Sequence, residues 1–269
     1  MKNILMLIVL LCLVPSWFNG QEFNVYTQNK RYNIQCKNCI KNYYFFGQHY
    51  IDRNKQNIID LTTLAQGVDS IIPNVQNSDL IVLDIENKVY QDVKQKSRFD
   101  VNYASNIKKL VDMVNLVKKM RPNAKVVLYG VPFNFNYDFQ KKFNDFEKLK
   151  PLLKSVDYLA PSLYLMYSNF EKGDSYFKDY ITNNLDLNFQ MAEKVQKPVL
   201  PFIWYKVHPY NKISGGSVVN ENLYDTYLKL IKDYSYKGRK VSGIIYWEPS
   251  KETININQKL NSTLKILDK

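Results

Sequence analysis

Asp84 and Glu86 stand one residue apart at the end of an apolar run, Leu80-Ile81-Val82-Leu83-Asp84-Ile85-Glu86. Side chains alternate along an extended chain, so both carboxyls take the same face, with their Cα atoms roughly 6.6 Å apart. Acids that close repel, and near neutral pH such a pair tends to hold one proton between them. One member can then donate a proton while the other, an anion, orients or stabilises charge. Alone, an Asp-x-Glu at a strand end is more often a helix cap or a solvated loop. What argues for chemistry is the company it keeps.

Four later apolar segments also end in aromatic residues: Tyr129, Tyr164, the pair Trp204-Tyr205 and the pair Tyr246-Trp247. Flat rings around two carboxylates suit a sugar, whose C–H faces stack on them while an acid works on the glycosidic bond. Taken one at a time, Tyr129 and Tyr205 read as core or rim and Trp247 as a plug of the barrel. A nucleotide needs a phosphate cradle, and no Gly-rich loop follows the first predicted strand. Nucleic acid is therefore not an expected partner. His49 and His208, the only two histidines, read as surface or hydrogen-bonded loop residues rather than as a catalytic base. No cofactor or metal is called for.

The elements that must carry these residues alternate in type. Strands are predicted at Phe23–Thr27, Tyr43–Gly47, Asp79–Glu86, Lys125–Gly130, Ser155–Tyr164, Pro198–Tyr205 and Val241–Trp247, as apolar runs bounded by turn residues. Helices are predicted over Val101–Met120, Phe139–Leu153, Tyr176–Val195, Glu221–Tyr236 and roughly Ile254–Leu267; in the first, Ile107, Leu110, Val111, Val114 and Val117 recur at helical spacing. Near-continuous apolar strands alternating with helices mean a parallel sheet covered on its faces. Seven strands close most naturally into a single α/β, TIM-like (β/α) barrel, with a doubly wound open sheet as the alternative. In a barrel, chemistry gathers at the carboxyl ends of the strands, where the acids and aromatics fall.

Residues 1–20 read as a secretory signal: Lys2, an apolar run from Ile4 to Val14, and a small polar exit at Asn19-Gly20. The barrel is then expected over 21–269, secreted and without stable membrane insertion. Of three cysteines, Cys12 falls in the signal, and Cys36 and Cys39 are spaced to close a small disulfide loop or to stay as thiols, rather than to form a redox or metal pair. Asn261-Ser262-Thr263 is a glycosylation sequon. The net charge of +12 favours polyanions, but the lysines are scattered, so the charge is a weak pointer.

In order along the chain, several pieces resemble the hyaluronidase family of glycoside hydrolases. Ile72-Pro73 followed by Leu80 to Glu86 is similar to the family's segment ending Asp-Trp-Glu. Arg121-Pro122, then Tyr129-Gly130-Val131-Pro132 with Asn134, resembles its next strand. Ala160-Pro161-Ser162-Leu163-Tyr164-Leu165 is similar to its Pro-Ser-Ile-Tyr-Leu. Pro198-Val199-Leu200-Pro201 with Tyr205, and Gly243-Ile244-Ile245-Tyr246-Trp247, complete the series. The resemblance spans about Phe23 to Ser250 and implies a distorted seven-stranded barrel.

It also implies roles. Glu86 is the general acid/base, and the substrate's own acetamido oxygen attacks the anomeric carbon, the substrate-assisted exception to the two-carboxylate rule. Asp84, helped by Tyr164, holds the acetamido group, and Tyr205 and Trp247, then Tyr129, line the substrate-binding floor, so the expected substrate is an N-acetylhexosamine polysaccharide, acidic in the case of hyaluronan or chondroitin. There are departures: Ile85 replaces the family's tryptophan between the acids, and Asn87-Lys88-Val89 stands where Trp-Arg-Pro is expected, removing an arginine that helps hold the polymer. Chitinase-type barrels share the assisted chemistry, but in their Asp-x-x-Asp-x-Asp-x-Glu pattern Val82 occupies one acid position. A glycan-binding barrel without turnover is the alternative from another class.

Overall fold

The computed structural model describes residues 23–28, 40–169, 172–249 and 256–267. The signal segment, Cys36 and Cys39 lie outside them. Six parallel strands form one curled sheet: β1 (Asn24–Thr27), β2 (Ile40–Phe46), β3 (Leu80–Leu83), β4 (Lys125–Leu128), β5 (Phe202–Ile203) and β6 (Gly243–Tyr246). Their spatial order is β4-β3-β2-β1-β6-β5. All four residues of β3 are buried, as a strand covered on both faces requires. Each apolar side chain so buried contributes about 1.5–3 kcal/mol. Gly243 lets β6 approach β1 closely, because a Cβ there would meet Asn24 O at 1.9 Å.

Seven strands were expected, and among the described residues the sheet has six. Residues 155–164 do not form a strand: Ser155 closes a helix, and 156–164 run as a segment tied by separate bonds to both of its neighbours. On one side, Asp157 N donates to Val126 O (2.8 Å), Gly130 N to Ala160 O (2.9 Å) and Ala160 N to Val131 O (2.9 Å). On the other, Leu159 N donates to Pro198 O (2.9 Å), Phe202 N to Pro161 O (2.8 Å) and Leu163 N to Phe202 O (3.0 Å). The segment thus bridges β4 and β5, where the six-stranded sheet would otherwise stay open. Pro161, Pro198 and Pro201 lack N–H donors, so a continuous ladder cannot form there. The same prolines shorten the predicted strand 198–205 to the two residues of β5.

The helices are α1 (Gln48–Ile51), α2 (Leu61–Ile71), α3 (Lys88–Gln95), α4 (Tyr103–Met120), α5 (Phe146–Ser155), α6 (Asp174–Val195), α7 (Glu221–Asp233) and α8 (Ile256–Leu267). The predicted helix 139–153 is split into a short 3-10 turn, Asp138–Asn144, and α5. Asp145 makes the break: its carboxylate accepts the Lys148 N–H at 2.9 Å, as an N-cap does. Helices α1, α2 and α3 are additions to the sequence reading. Segment 61–71 packs on the barrel, with Leu64, Gly67 and Val68 buried, and its exit is held by the buried Arg121, whose Nε donates to Ile72 O at 2.7 Å. Asn261 is half-buried within α8, and Thr263 of its sequon is buried against the Tyr224 hydroxyl at 3.1 Å. No helix among the described residues is long and apolar enough to cross a membrane.

Candidate active site

Strand β3 ends at Leu83, and Asp84 continues its direction: its N–H donates to Phe46 O at 2.9 Å. Asp84 is half-buried, with Oδ1 shut off from solvent and without a hydrogen-bond partner among the described residues. Burial pushes its carboxyl up to about 7, and the neighbouring Glu86 charge adds to the rise. Glu86 is exposed to solvent, yet its surroundings desolvate it enough to raise its carboxyl as well, against the opposing pull of the Lys94 ammonium. The resemblance implied that Glu86 is the proton donor of the pair. Asp84 is the more enclosed of the two acids, and both carboxyls are raised.

What holds Glu86 in place is the turn that follows it. Asn87 caps α3, accepting the N–H groups of Val89 (3.0 Å) and Tyr90 (3.4 Å). Its own amide is clamped by the buried Asp52 (3.0 Å) and by Ile58 O (2.9 Å). Lys88 N donates to Asn57 Oδ1 at 3.0 Å, so the loop after α1 grips the acid's turn at two consecutive residues. At the far end of α3, Lys148 Nζ reaches the Lys94 and Lys96 carbonyls at 2.8 and 3.3 Å, a favourable place for a cation at a helix C-terminus.

Tyr164 is buried; its hydroxyl interacts with that of Tyr129 but makes no hydrogen bond of full geometry to a described residue. Its backbone is pinned from both covering helices: Tyr180 of α6 donates to Tyr164 O, and Tyr227 of α7 to Leu163 O, each at 3.0 Å. Around its ring stand Trp247 (5.8 Å, stacked), Trp204 (5.7 Å), His208 (5.8 Å) and Tyr129 (6.1 Å). Tyr129 donates to Ser162 Oγ at 3.3 Å. Burial raises its phenol, and the charges of Asp84 and Glu86 add to the rise, which puts it within electrostatic reach of both acids. Gly130, at φ +69, turns the chain immediately after it.

Asp84, Glu86, Tyr129, Tyr164 and Trp247 are therefore brought together. Tyr205 is not: it is 1% exposed, its hydroxyl donates to Glu248 at 2.7 Å and its ring lies along Tyr246. Past the end of β5, neighbouring side chains take opposite faces. Trp204 occupies the cleft side instead, meeting Trp247 edge-on at 4.9 Å, with its indole N–H buried and unpartnered among the described residues. The sequence reading named Tyr205, and the structure turns its neighbour Trp204 toward Tyr164 and Trp247.

Lys94 and His208 were also missed. Lys94 had a signal: Glu86, Tyr90 and Lys94 follow at intervals of four, one face of a helix. The Lys94 ammonium lies over the Phe133 and Phe143 rings at 5.5 and 5.7 Å. His208 is a hydrogen-bonded loop residue, as expected, but it is buried and faces the site. His49 is exposed and packs on Tyr50.

No protein-family model matches the chain, and no curated protein matches it by sequence. By structure it is similar to bee venom hyaluronidase, with a TM-score of 0.65 and 17% identity over 92% of this chain and 97% of that one. The same venom enzyme in complex with a hyaluronic acid tetramer gives a TM-score of 0.62 at 17% identity, over 92% and 96% of the two chains. At that identity, the likeness is one of fold.

Proposed function

We propose that this chain is a secreted glycoside hydrolase that cleaves next to an N-acetylhexosamine by retaining, substrate-assisted catalysis. The observation that carries the reading is the set of buried polar atoms of Asp84 and Tyr164 without a full hydrogen bond, beside a second acid and under aromatic rings. Buried polar groups without partners are rare in native folds, and each lowers stability unless a ligand completes it. An acetamido group offers both a donor and an acceptor to complete this pair.

In that mechanism Glu86, the exposed acid, protonates the glycosidic oxygen as the C1–O bond breaks. The acetamido carbonyl oxygen closes on C1, and Asp84 takes up the positive charge that develops on the amide N–H. The high proton affinity that burial gives Asp84 suits it to that task. Water, deprotonated by Glu86, then opens the ring intermediate with retention at C1. Tyr129, Trp204 and Trp247 form the walls, and Glu86 must carry its proton for the first step. A glycosaminoglycan-type polymer is the substrate class we favour, in keeping with the resemblance and with the ligand named for the venom enzyme.

Purified protein incubated with hyaluronan, chondroitin and chitin oligomers, alongside Glu86→Gln, tests this reading. We expect hydrolysis of at least one polymer and a drop on the order of 10³-fold without the proton donor. Binding without turnover in the wild type indicates a glycan-binding barrel instead.

A further inference from the structure

His208 sits in a loop that leaves β5 and returns, pinned at its base where Lys206 and Val218 bridge. Its N–H donates to Leu165 O at 2.7 Å, which ties it to the segment carrying Tyr164. Its Nδ1 accepts the Tyr210 N–H at 3.1 Å. That bond settles the tautomer: a neutral ring accepting at Nδ1 carries its proton on Nε2. The ring is 7% exposed and lies between Tyr164, at 5.8 Å, and Tyr210, at 4.6 Å. Nε2 makes no hydrogen bond to any described residue. Burial, and then the Lys94 charge, hold the imidazole down at about 4, so near neutral pH it is an uncharged donor rather than an acid or base. The Tyr210 phenol responds to the Glu86 charge, which places this loop on the acid's side of the cleft.

We propose that His208 is a substrate-binding residue whose Nε2–H donates to a hydroxyl oxygen of the sugar resting on Tyr164. This rests on the reading of the cleft as a glycan site and adds a contact to it. A neutral, tautomer-locked donor on a short, bridged loop selects by position, since it cannot reorient toward an oxygen placed elsewhere.

The test separates the two edges of the ring. Asn at 208 can accept the Tyr210 N–H from its own side-chain oxygen, the geometry of an Asx turn, but leaves the Nε2 position empty. Gln at 208 restores an N–H near Nε2. In the full chain carrying Glu86→Gln, chosen so that turnover does not consume the ligand, calorimetry with hyaluronan and chitin tetramers is run with and without His208→Asn, His208→Gln and His208→Ala. Thermal unfolding of each variant reports whether the loop has held.

We expect His208→Asn to keep the unfolding midpoint and weaken binding about tenfold, and His208→Gln to recover most of that loss. In the active background, the Asn defect falls on KM with kcat nearly unchanged. Equal affinity for His208→Asn and its parent, or a loss in His208→Gln as deep as in His208→Ala, overturns the inference and leaves His208 a loop anchor. If the Glu86→Gln parent binds no tetramer and the wild type cleaves none, the glycosidase reading itself fails.

Discussion

At the end of the sheet where the strands begin, carboxylates are tied to partners within the chain. Asp157 accepts the Val126 N–H at 2.8 Å and the Lys118 ammonium at 2.9 Å, and Asp79 accepts Asn42 at 3.0 Å and Asn77 at 3.3 Å. At the end where the strands finish, Asp84 keeps a buried oxygen, and Tyr164 a buried hydroxyl, without a full hydrogen bond among the described residues. Both ends belong to one fold built from similar residues. The difference teaches that the upper end is organised for something not supplied by the chain, at a cost in stability, as functional sites commonly are. The lower end is organised to hold the sheet together.

The sharpest break of that contrast is Asp84→Asn. We expect turnover to fall on the order of 10²–10³-fold, as when a pre-placed charge stabiliser is lost, while the folded protein becomes more stable. Burial lifts the folded-state pKa of Asp84 to about 7. Its favourable contribution is thus fully present below the ordinary carboxylate range and is lost as pH rises through about 7. At about 1.36 kcal/mol per pKa unit, urea unfolding at pH 8 should show the variant gaining a few kcal/mol, with no gain at pH 4. A loss of stability at pH 8 would place Asp84 with Asp157.

Next in size is Asp52→Ala, which strips partners from Gln56 N, Asn57 N and the Asn87 amide together. It should lower unfolding free energy by about 2–4 kcal/mol, with a matching fall in kcat as the turn after Glu86 loosens. Asp157→Ala should cost about 2 kcal/mol in the same assay, yet leave kcat of the folded fraction unchanged. A kcat defect there would blur the division between the two ends. The smallest effect belongs to Lys94→Met. Lys94 lowers the Glu86 carboxyl, so its removal should move the alkaline limb of the pH–rate profile upward, by less than about one unit.

Much of this was legible in the sequence, and the failures have physical reasons. The acid pair was visible because four buried apolar residues run straight into it, and Tyr164 because a strand exit follows Pro161-Ser162. Tyr205 was named rather than Trp204 because a shift of one residue along an extended chain exchanges its faces, and two adjacent aromatics give no hint of which turns inward. The predicted strand 155–164 failed as a strand because periodicity does not register the donors that prolines remove. The partner of Asn87 could not be read, because Asp52 meets it only through the tertiary fold.

The most direct measurement is a crystal structure of the Glu86→Gln protein soaked with an N-acetylglucosamine oligomer. The account predicts the acetamido group seated between Asp84 and the Tyr164 hydroxyl, with its sugar ring against Trp247. A sugar held elsewhere on the surface, with the Asp84 and Tyr164 oxygens still unpartnered, would contradict it.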